Sequence, residues 1–218
     1  MDSSMTASRL TPLQRDLLDA FFRHEQEFFL TGGAALAGFY LCHRVTHDLD
    51  LFSTSNRLDS ADAALRQAAD ELGGTIEMIH SAPEFRRRLV RRGDESVVVD
   101  LVFDRTPQAV AQKSRHGAIR LDPPQEILAN KLCALLARAE IRDLVDVRAL
   151  EDAGFAVEAA LVAAAQKDAG LTPAQLAWVL SQIEIPDDAV LPGDVAPAEL
   201  QTYLSNLMSR LTRLAFPT

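Results

Sequence analysis

The sequence predicts an α+β protein in which a mixed sheet flanked by helices is followed by a C-terminal helical bundle. The stretch 29–52 reads as a short apolar strand, a Gly-Gly turn, a helix and a second strand. The stretch 85–103 contains two strand-like runs around a Gly-Asp turn, as in a hairpin. From Pro123 onward the chain consists of helical patterns separated by Gly and Pro. We therefore expect an α/β core at 10–122 and a helical region at 123–218.

The composition narrows the class of protein. The chain has 218 residues and a net charge of −9, which argues against a protein that coats nucleic acid nonspecifically. No apolar run approaches the ~18 residues that a membrane span needs. Residues 1–8 lack the basic and apolar regions of a signal peptide. We expect a cytoplasmic protein without a membrane partner.

The first helix begins with a capping box, in which Thr11 is the cap, Pro12 the first helical residue and Gln14 the reciprocal partner. The other elements follow from hydrophobic periodicity and from the positions of Gly and Pro. The first of them are a strand at Phe28–Leu30, a helix from about Ala34 and a second strand that ends at Phe52. The later strands are predicted at Thr75–His80, Phe85–Arg92, Ser96–Phe103 and Gly117–Leu121. The later helices are predicted at Ser60–Leu72, Pro124–Arg138, about Glu140–Asp152, Val157–Lys167, Pro173–Gln182 and Pro197–Leu214.

Two acids alternate on the second strand. Strand side chains have a period of two, so Asp48 and Asp50 project to one side while Leu49 and Leu51 project to the other. The leucines face a core, and the carboxylates are held close together. Because two such like charges repel each other, the pair predicts a site for a divalent cation.

The Gly-Gly step predicts a phosphate site. Gly32 and Gly33 can adopt backbone angles closed to other residues and allow a ligand to approach the main chain. The helix that follows, from about Ala34, directs its free N–H groups toward the turn, and a helix N-terminus favours anions. Phosphates at one end of this stretch and Mg²⁺ at the other describe a nucleoside triphosphate site.

These residues carry a resemblance to a known family. The order Gly-Gly, helix and Asp-x-Asp strand resembles the nucleotidyltransferase fold of the polymerase β superfamily. The strings at 30–36 (LTGGAAL), 40–44 (YLCHR) and 48–52 (DLDLF) resemble the AbiEii/AbiGii toxin family of abortive-infection and type IV toxin–antitoxin systems more closely. The resemblance covers about Thr11 to Leu150 and implies a polymerase β-like core.

The resemblance implies roles for the residues of this motif. Asp48 and Asp50 would hold two Mg²⁺ ions, and Asp100, in the apolar run 97–103, would be the third carboxylate on a neighbouring strand. The alternative for Asp100 is a structural pair with a nearby arginine, because a carboxylate in such a run is costly without a partner. Thr31, Gly32, Gly33 and Arg44 would contact the nucleotide. Superfamily members commonly have Ser where Gly33 stands, and Thr31 is the adjacent hydroxyl.

A second group of polar residues lies on two predicted helices. The segment from Glu126 to Arg138 resembles the family's lysine motif, and the segment from Arg142 to Asp146 resembles its Arg-Asp-x-x-Asp motif. The resemblance implies that Lys131, assisted by Arg142, contacts the triphosphate and that Asp143 or Asp146 completes the active site. The alternative is an interhelix salt-bridge network on a solvated face.

The run 86–92 places five arginines on a predicted strand, and these arginines face both sides of it. They could contact the phosphates of an RNA acceptor. The interpretation that we favour is a solvated edge strand whose charges prevent pairing with other chains.

The predicted function is transfer of a nucleoside monophosphate from a nucleoside triphosphate to an acceptor hydroxyl, with release of pyrophosphate. The family resemblance implies an RNA acceptor, such as a tRNA acceptor end, and a separately encoded antitoxin as partner. Two alternatives remain. One is a nucleotidyltransferase that modifies protein or a small molecule. The other is a non-catalytic module that binds a nucleotide or a partner protein.

Overall fold

The computed structural model describes residues 8–217, and the chain is an α+β protein with a seven-stranded mixed sheet. Residues 1–7, which supplied most of the signal-peptide argument, lie outside the described part. The chain divides into two units, unit 1 with residues 1–106 and 112–123, and unit 2 with residues 107–111 and 124–218. No feature of the sequence indicates that the short segment 107–111 belongs with the helices.

In its described part, from residue 8 onward, unit 1 contains three helices, a π-helical segment and all seven strands of the sheet. The strand order in the sheet is β3-β4-β5-β2-β1-β7-β6. The elements are α1 (Pro12–His24), β1 (Phe29–Thr31), α2 (Gly32–Ala35), the π-helical segment (Leu36–Tyr40), β2 (Asp48–Ser53), α3 (Leu58–Glu71), β3 (Thr75–Ala82), β4 (Phe85–Arg92), β5 (Glu95–Phe103), β6 (Ser114–His116) and β7 (Ile119–Leu121).

Helices α1 and α3 cover one face of the sheet. The predicted capping box of α1 is confirmed, because Thr11 Oγ1 accepts from Gln14 N and the Gln14 side chain accepts from Thr11 N. On α3, Asp62 pairs with the buried Arg88 of β4 at 2.6 Å. Arg88 therefore points toward the helices, and its neighbour Arg87 points to the opposite face.

The strand registers place the alternating residues. Strands β2 and β5 pair in parallel, with Leu49 opposite Val99 and Leu51 opposite Leu101, and all four side chains are buried. They lie on the face that α1 and α3 cover. The residues between them, which include the predicted acids, project to the other face.

Two local features of unit 1 differ from the prediction. The helix predicted from about Ala34 is present and begins within two residues of that position, at Gly32, and it continues as a π-helical segment. Strand β6 was not predicted, because it consists of three polar residues and has no hydrophobic pattern. Strand β4 is interior, between β3 and β5, and its arginines do not protect an edge.

Unit 2 is helical, and up to residue 217 it contains five α-helices. The Pro124–Arg138 helix begins at its predicted residue, and the last helix at its predicted proline. The bounds are α4 (Pro124–Arg138), α5 (Ile141–Asp152), α6 (Val157–Lys167), α7 (Pro173–Leu180), a short 3₁₀ segment (Pro192–Asp194) and α8 (Pro197–Ala215). Between residues 8 and 217, no helix has the length and apolar character needed to cross a membrane.

Candidate active site

A row of polar residues crosses four strands on the face that α1 and α3 leave uncovered. Asp50 on β2 is opposite Thr31 on the antiparallel β1 and opposite Asp100 on the parallel β5. Asp100 is in turn opposite Arg87 on β4. Directly opposed residues share a face of the sheet, so these four side chains form one row. Asp48 lies two residues before Asp50 and projects to the same face.

The two glycines are in close contact with charged side chains. A methyl group built at Gly32 would overlap Asp50 Oδ2, and one built at Gly33 would overlap a terminal nitrogen of Arg44. Gly32 has a φ of +63°, which favours glycine. An anion and a cation are therefore held against consecutive residues of the same turn.

Arg44 is buried and fixed near this turn. Its Nη1 donates to Val45 O at 3.0 Å. A buried guanidinium beside the main chain of Gly33 is suited to bind a phosphate oxygen, because its donors are oriented in a planar fork.

A buried hydroxyl lies at the end of the row. Thr31 is 3% exposed, and its Oγ1 has no hydrogen-bond partner among the described residues. Because buried polar groups are normally paired, this atom is a candidate donor to a ligand oxygen. On β2, Asp48 Oδ1 accepts from Thr46 Oγ1 at 2.9 Å, a contact that orients the carboxylate.

Asp100 has an arginine as its partner. Arg87 Nε donates to Asp100 Oδ1 at 2.8 Å, and Arg87 Nη2 donates to Oδ2 at 2.6 Å. The hydrogen bonds to Asp100 raise the pKa of the Arg87 guanidinium, opposed by burial, and the charges of Asp100, Asp48 and Asp50 raise it further. The structural pair that the sequence left open for Asp100 is therefore present.

The carboxylates fit a hard divalent cation in their chemistry, since Mg²⁺ prefers oxygen ligands. The close approach of Asp50 to Gly32 leaves no room for a side chain at that turn. Across residues 8–217, however, no three His, Cys, Asp or Glu side chains are grouped closely enough to hold a metal ion. The pairing of Asp100 with Arg87 is a physical reason why the acids are not grouped around one point, because both Asp100 oxygens are directed to the guanidinium.

Three other arginines of β4 are also paired with acids. Arg86 pairs with Asp59, Arg88 with Asp62, and Arg92 with Asp16 and Glu95. The Asp62 carboxyl is partly buried, which raises its pKa, but hydrogen bonds and charge from Arg88 and Arg66 outweigh burial and lower it. The interpretation of a solvated edge is thus wrong, because α1 and α3 supply acids to an interior strand.

Unit 2 contains its own buried cluster. Lys131 Nζ lies 2.7 Å from Asp143 Oδ1 and 2.6 Å from Asp146 Oδ2, and both aspartates are fully buried. Arg138 Nη2 pairs with Asp143 Oδ2 at 2.8 Å. Burial lowers the pKa of Lys131, but the charges and hydrogen bonds of the two aspartates outweigh it, so the net shift is upward. The salt-bridge network exists, and it is buried rather than solvated.

The remaining predicted residue of unit 2, Arg142, has Glu140 as a partner. Its Nε pairs with Glu140 at 2.5 Å, and its side chain is 44% exposed. Unit 1 thus brings together Thr31, Gly32, Gly33, Arg44, Asp48, Asp50 and Asp100, and unit 2 brings together Lys131, Asp143 and Asp146.

Arg87 was not predicted as a site residue, although the sequence contains the signal. The turn Gly93-Asp94 places Arg92 opposite Glu95 when it connects the strands as a two-residue loop. Counting outward along both strands from that pair places Arg87 opposite Asp100.

The chain is similar to known proteins over most of its length. A family model described as nucleotidyl transferase AbiEii toxin, type IV toxin–antitoxin system, matches residues 15–215. No curated protein matches the sequence significantly.

Two solved structures are similar in fold. JHP933 from Helicobacter pylori is 22% identical, with a TM-score of 0.57 over 92% of this chain and 89% of that one. The nucleotidyltransferase toxin MenT4 from Mycobacterium tuberculosis is 16% identical, with a TM-score of 0.51 over 93% of this chain and 82% of that one. At these identities the likeness shows the fold, and the match to the family model shows the family. The chain belongs to the AbiEii nucleotidyl transferase toxin family of type IV toxin–antitoxin systems.

Proposed function

We propose that this protein is a Mg²⁺-dependent toxin that transfers a nucleoside monophosphate from a nucleoside triphosphate to a hydroxyl of RNA, such as a tRNA acceptor end. The observation that carries the proposal is the row of Thr31, Asp50 and Asp100 across three strands, with Asp48 beside it. Family membership supports the nucleotidyltransferase class and a separately encoded antitoxin as partner.

The reaction exchanges one phosphorus–oxygen bond for another. The acceptor oxygen bonds to the α-phosphorus, the bond from that phosphorus to the bridging oxygen of the β-phosphate breaks, and pyrophosphate leaves. The acceptor proton passes to solvent. Such chemistry depends on positioning and on neutralisation of charge, which a charged, preorganised site supplies.

Each residue of unit 1 has a defined role in this proposal. Asp48 and Asp50, joined by Asp100, would hold two Mg²⁺ ions. When bound, these ions would neutralise charge on the triphosphate and lower the pKa of the acceptor hydroxyl. Thr31 Oγ1, the backbone at Gly32 and Gly33, and the Arg44 guanidinium would bind phosphate oxygens.

The roles of the unit 2 residues are proposed from the family motif. Lys131 would contact the triphosphate, with Arg142 assisting, and Asp143 or Asp146 would act with it. The buried pairs of Lys131 also give it a structural role, which variants must separate from any catalytic one.

One observation favours a second candidate, a module that binds nucleotide without turnover. Arg87 neutralises Asp100 by two hydrogen bonds, as expected for a carboxylate that never binds a metal ion. In that case Asp48 and Asp50 would serve nucleotide binding alone.

Labelling tests the proposal and identifies the acceptor. Each α-³²P nucleoside triphosphate is incubated with Mg²⁺, total RNA and total protein, and with wild type or the double variant Asp48→Asn/Asp50→Asn. The Asp94→Asn variant is a matched control, because Asp94 is exposed in the β4–β5 turn.

Label in RNA with wild type and Asp94→Asn, and none with the double variant, supports the proposal. Label in protein corrects the acceptor and keeps the chemistry. Mg²⁺-dependent binding of the triphosphate without labelling of RNA, protein or a small molecule would favour the binding module.

A further inference from the structure

Arg87 forms a bidentate arginine–carboxylate pair with Asp100 in the row of site residues described above. Its two nitrogens donate to the two oxygens of Asp100 at 2.8 and 2.6 Å. The Asp100 side chain is 9% exposed and that of Arg87 is 45% exposed. A nearly buried carboxylate is thus neutralised by a cation that reaches it from the solvent side, in the geometry that gives the strongest pairing.

The pair is in direct line with the two other acids. Arg87 is opposite Asp100, and Asp100 is opposite Asp50 in the parallel register. Each oxygen of Asp100 keeps a second lone pair. A metal ion on that lone pair would nevertheless lie close to the positive guanidinium, and the two cations would repel each other across a poorly solvated gap.

We propose that Arg87 is a positioning residue that holds Asp100 in the metal-free protein and leaves it when a divalent cation binds Asp48, Asp50 and Asp100. This inference rests on the proposed function. The exchange replaces one cation by another on the same carboxylate, so Asp100 is never a buried, unpaired charge. It also lowers the affinity for a free metal ion, because the ion must displace Arg87.

The arginine's neighbours supply a matched control. Arg91 lies four residues along the same strand, so it projects to the same face as Arg87. It is exposed and is opposite Ser96, not an acid. Arg91→Gln therefore makes the same change of net charge on the same strand without touching the carboxylates.

Metal affinity is measured directly on the full chain without nucleotide, by titration with Mn²⁺ and detection of the free ion by electron paramagnetic resonance. Arg87→Gln is expected to lower the dissociation constant about tenfold, a usual size for the coupling between two linked equilibria. Arg91→Gln is expected to change it much less. Arg87→Lys keeps the charge but not the bidentate contact, and its dissociation constant for Mn²⁺ is expected to lie between those of wild type and Arg87→Gln.

A double-mutant cycle with Asp100→Asn distinguishes an effect of Arg87 through its contact with Asp100 from an effect of its charge at a distance. If Arg87 acts through Asp100, Arg87→Gln gives no gain in Mn²⁺ affinity when Asp100→Asn is already present. The double variant also removes both members of the pair, so it is a folded reference if Arg87→Gln alone is unstable. An equal gain in both backgrounds overturns the inference, as does equal affinity of wild type and Arg87→Gln.

Failure of the proposed function gives a different result. If neither wild type nor Arg87→Gln binds Mn²⁺ in a manner that Asp48→Asn/Asp50→Asn abolishes, the metal site itself is absent. Binding that depends on Asp48 and Asp50 but not on Arg87 overturns this inference alone.

Discussion

Asp50 and Asp100 lie directly opposite each other on two parallel strands and project to the same face of the sheet. The other face of both strands is covered by α1 and α3, so the two carboxylates are mounted on a rigid, packed support. Preorganised charges of this kind need little reorganisation when a ligand binds, because the scaffold has already fixed their positions. The relation explains why a strand pair, rather than a loop, carries the proposed metal ligands.

The contact between Gly32 and Asp50 predicts a large effect of Gly32→Ala. The added methyl group overlaps Asp50 Oδ2, and the φ of +63° adds a conformational cost of about 1–2 kcal/mol. Gly93→Ala is the matched control, since Gly93 has a φ of +56° and nothing within 4 Å of the added methyl group. Urea denaturation should show both variants destabilised, whereas nucleotide transfer should be lost only in Gly32→Ala. Equal activity of the two variants would contradict the proposed position of Asp50.

The unpaired hydroxyl of Thr31 predicts a change in substrate affinity without a change in stability. Thr31→Val removes a buried group that has no hydrogen-bond partner among the described residues, so the midpoint of thermal unfolding should stay close to that of wild type. The KM for the nucleoside triphosphate should rise about tenfold, because a charge-assisted hydrogen bond to a phosphate is lost. Thr31→Ser should keep the wild-type KM. A wild-type KM in Thr31→Val would remove Thr31 from the site.

The sheet interior was only partly predictable, and the reasons are physical. Period-two alternation placed Asp48 and Asp50 on one face, because that property is local to the strand. The position of β4 inside the sheet depends on the strand order, which no local pattern encodes. Its arginines looked like a solvated edge because their acidic partners, such as Asp62 and Asp16, come from helices distant in sequence.

The helix after β1 was only partly predictable. Its start was predicted within two residues, and Gly32, with a φ of +63°, adopts the left-handed conformation that a Gly-Gly turn allows. Its continuation as a π-helical segment has no local signal in the sequence. By contrast, the Thr11 capping box and the start of the Pro124–Arg138 helix were predictable, because capping residues and prolines act at their own position.

The buried pairs of Lys131 predict a structural role that can be measured. Lys131→Met leaves Asp143 and Asp146 buried without this cation, and loss of one partner of a buried pair costs about 3–5 kcal/mol. Arg142→Met is the control, because Arg142 is 44% exposed and its Nε pairs with the half-exposed Glu140, so its loss should cost less than about 1 kcal/mol. Urea denaturation followed by circular dichroism gives both values. Equal stability of the two variants would contradict a buried lysine cluster.

The same cluster predicts a dependence of stability on pH. The pKa of Lys131 in the folded protein is raised above the usual value of 10.5, so the protonated lysine stabilises the fold. This contribution is fully present below about 10.5, the pKa of the unfolded chain, and is lost as the pH rises through the higher folded value. The stability difference between wild type and Lys131→Met should therefore be constant from neutral pH to about 10 and shrink above it. A difference that grows with alkaline pH would contradict the predicted direction.

Comparison of two labels on the same nucleotide tests the central claim most directly. Wild type is incubated with Mg²⁺, total RNA and a nucleoside triphosphate labelled with ³²P at either the α or the γ position, and Asp50→Asn is treated in parallel. Nucleotidyl transfer predicts that wild type moves the α label to RNA and releases the γ label as pyrophosphate, and that Asp50→Asn does neither. Transfer of the γ label to the acceptor, or α labelling that persists in Asp50→Asn, would contradict the account.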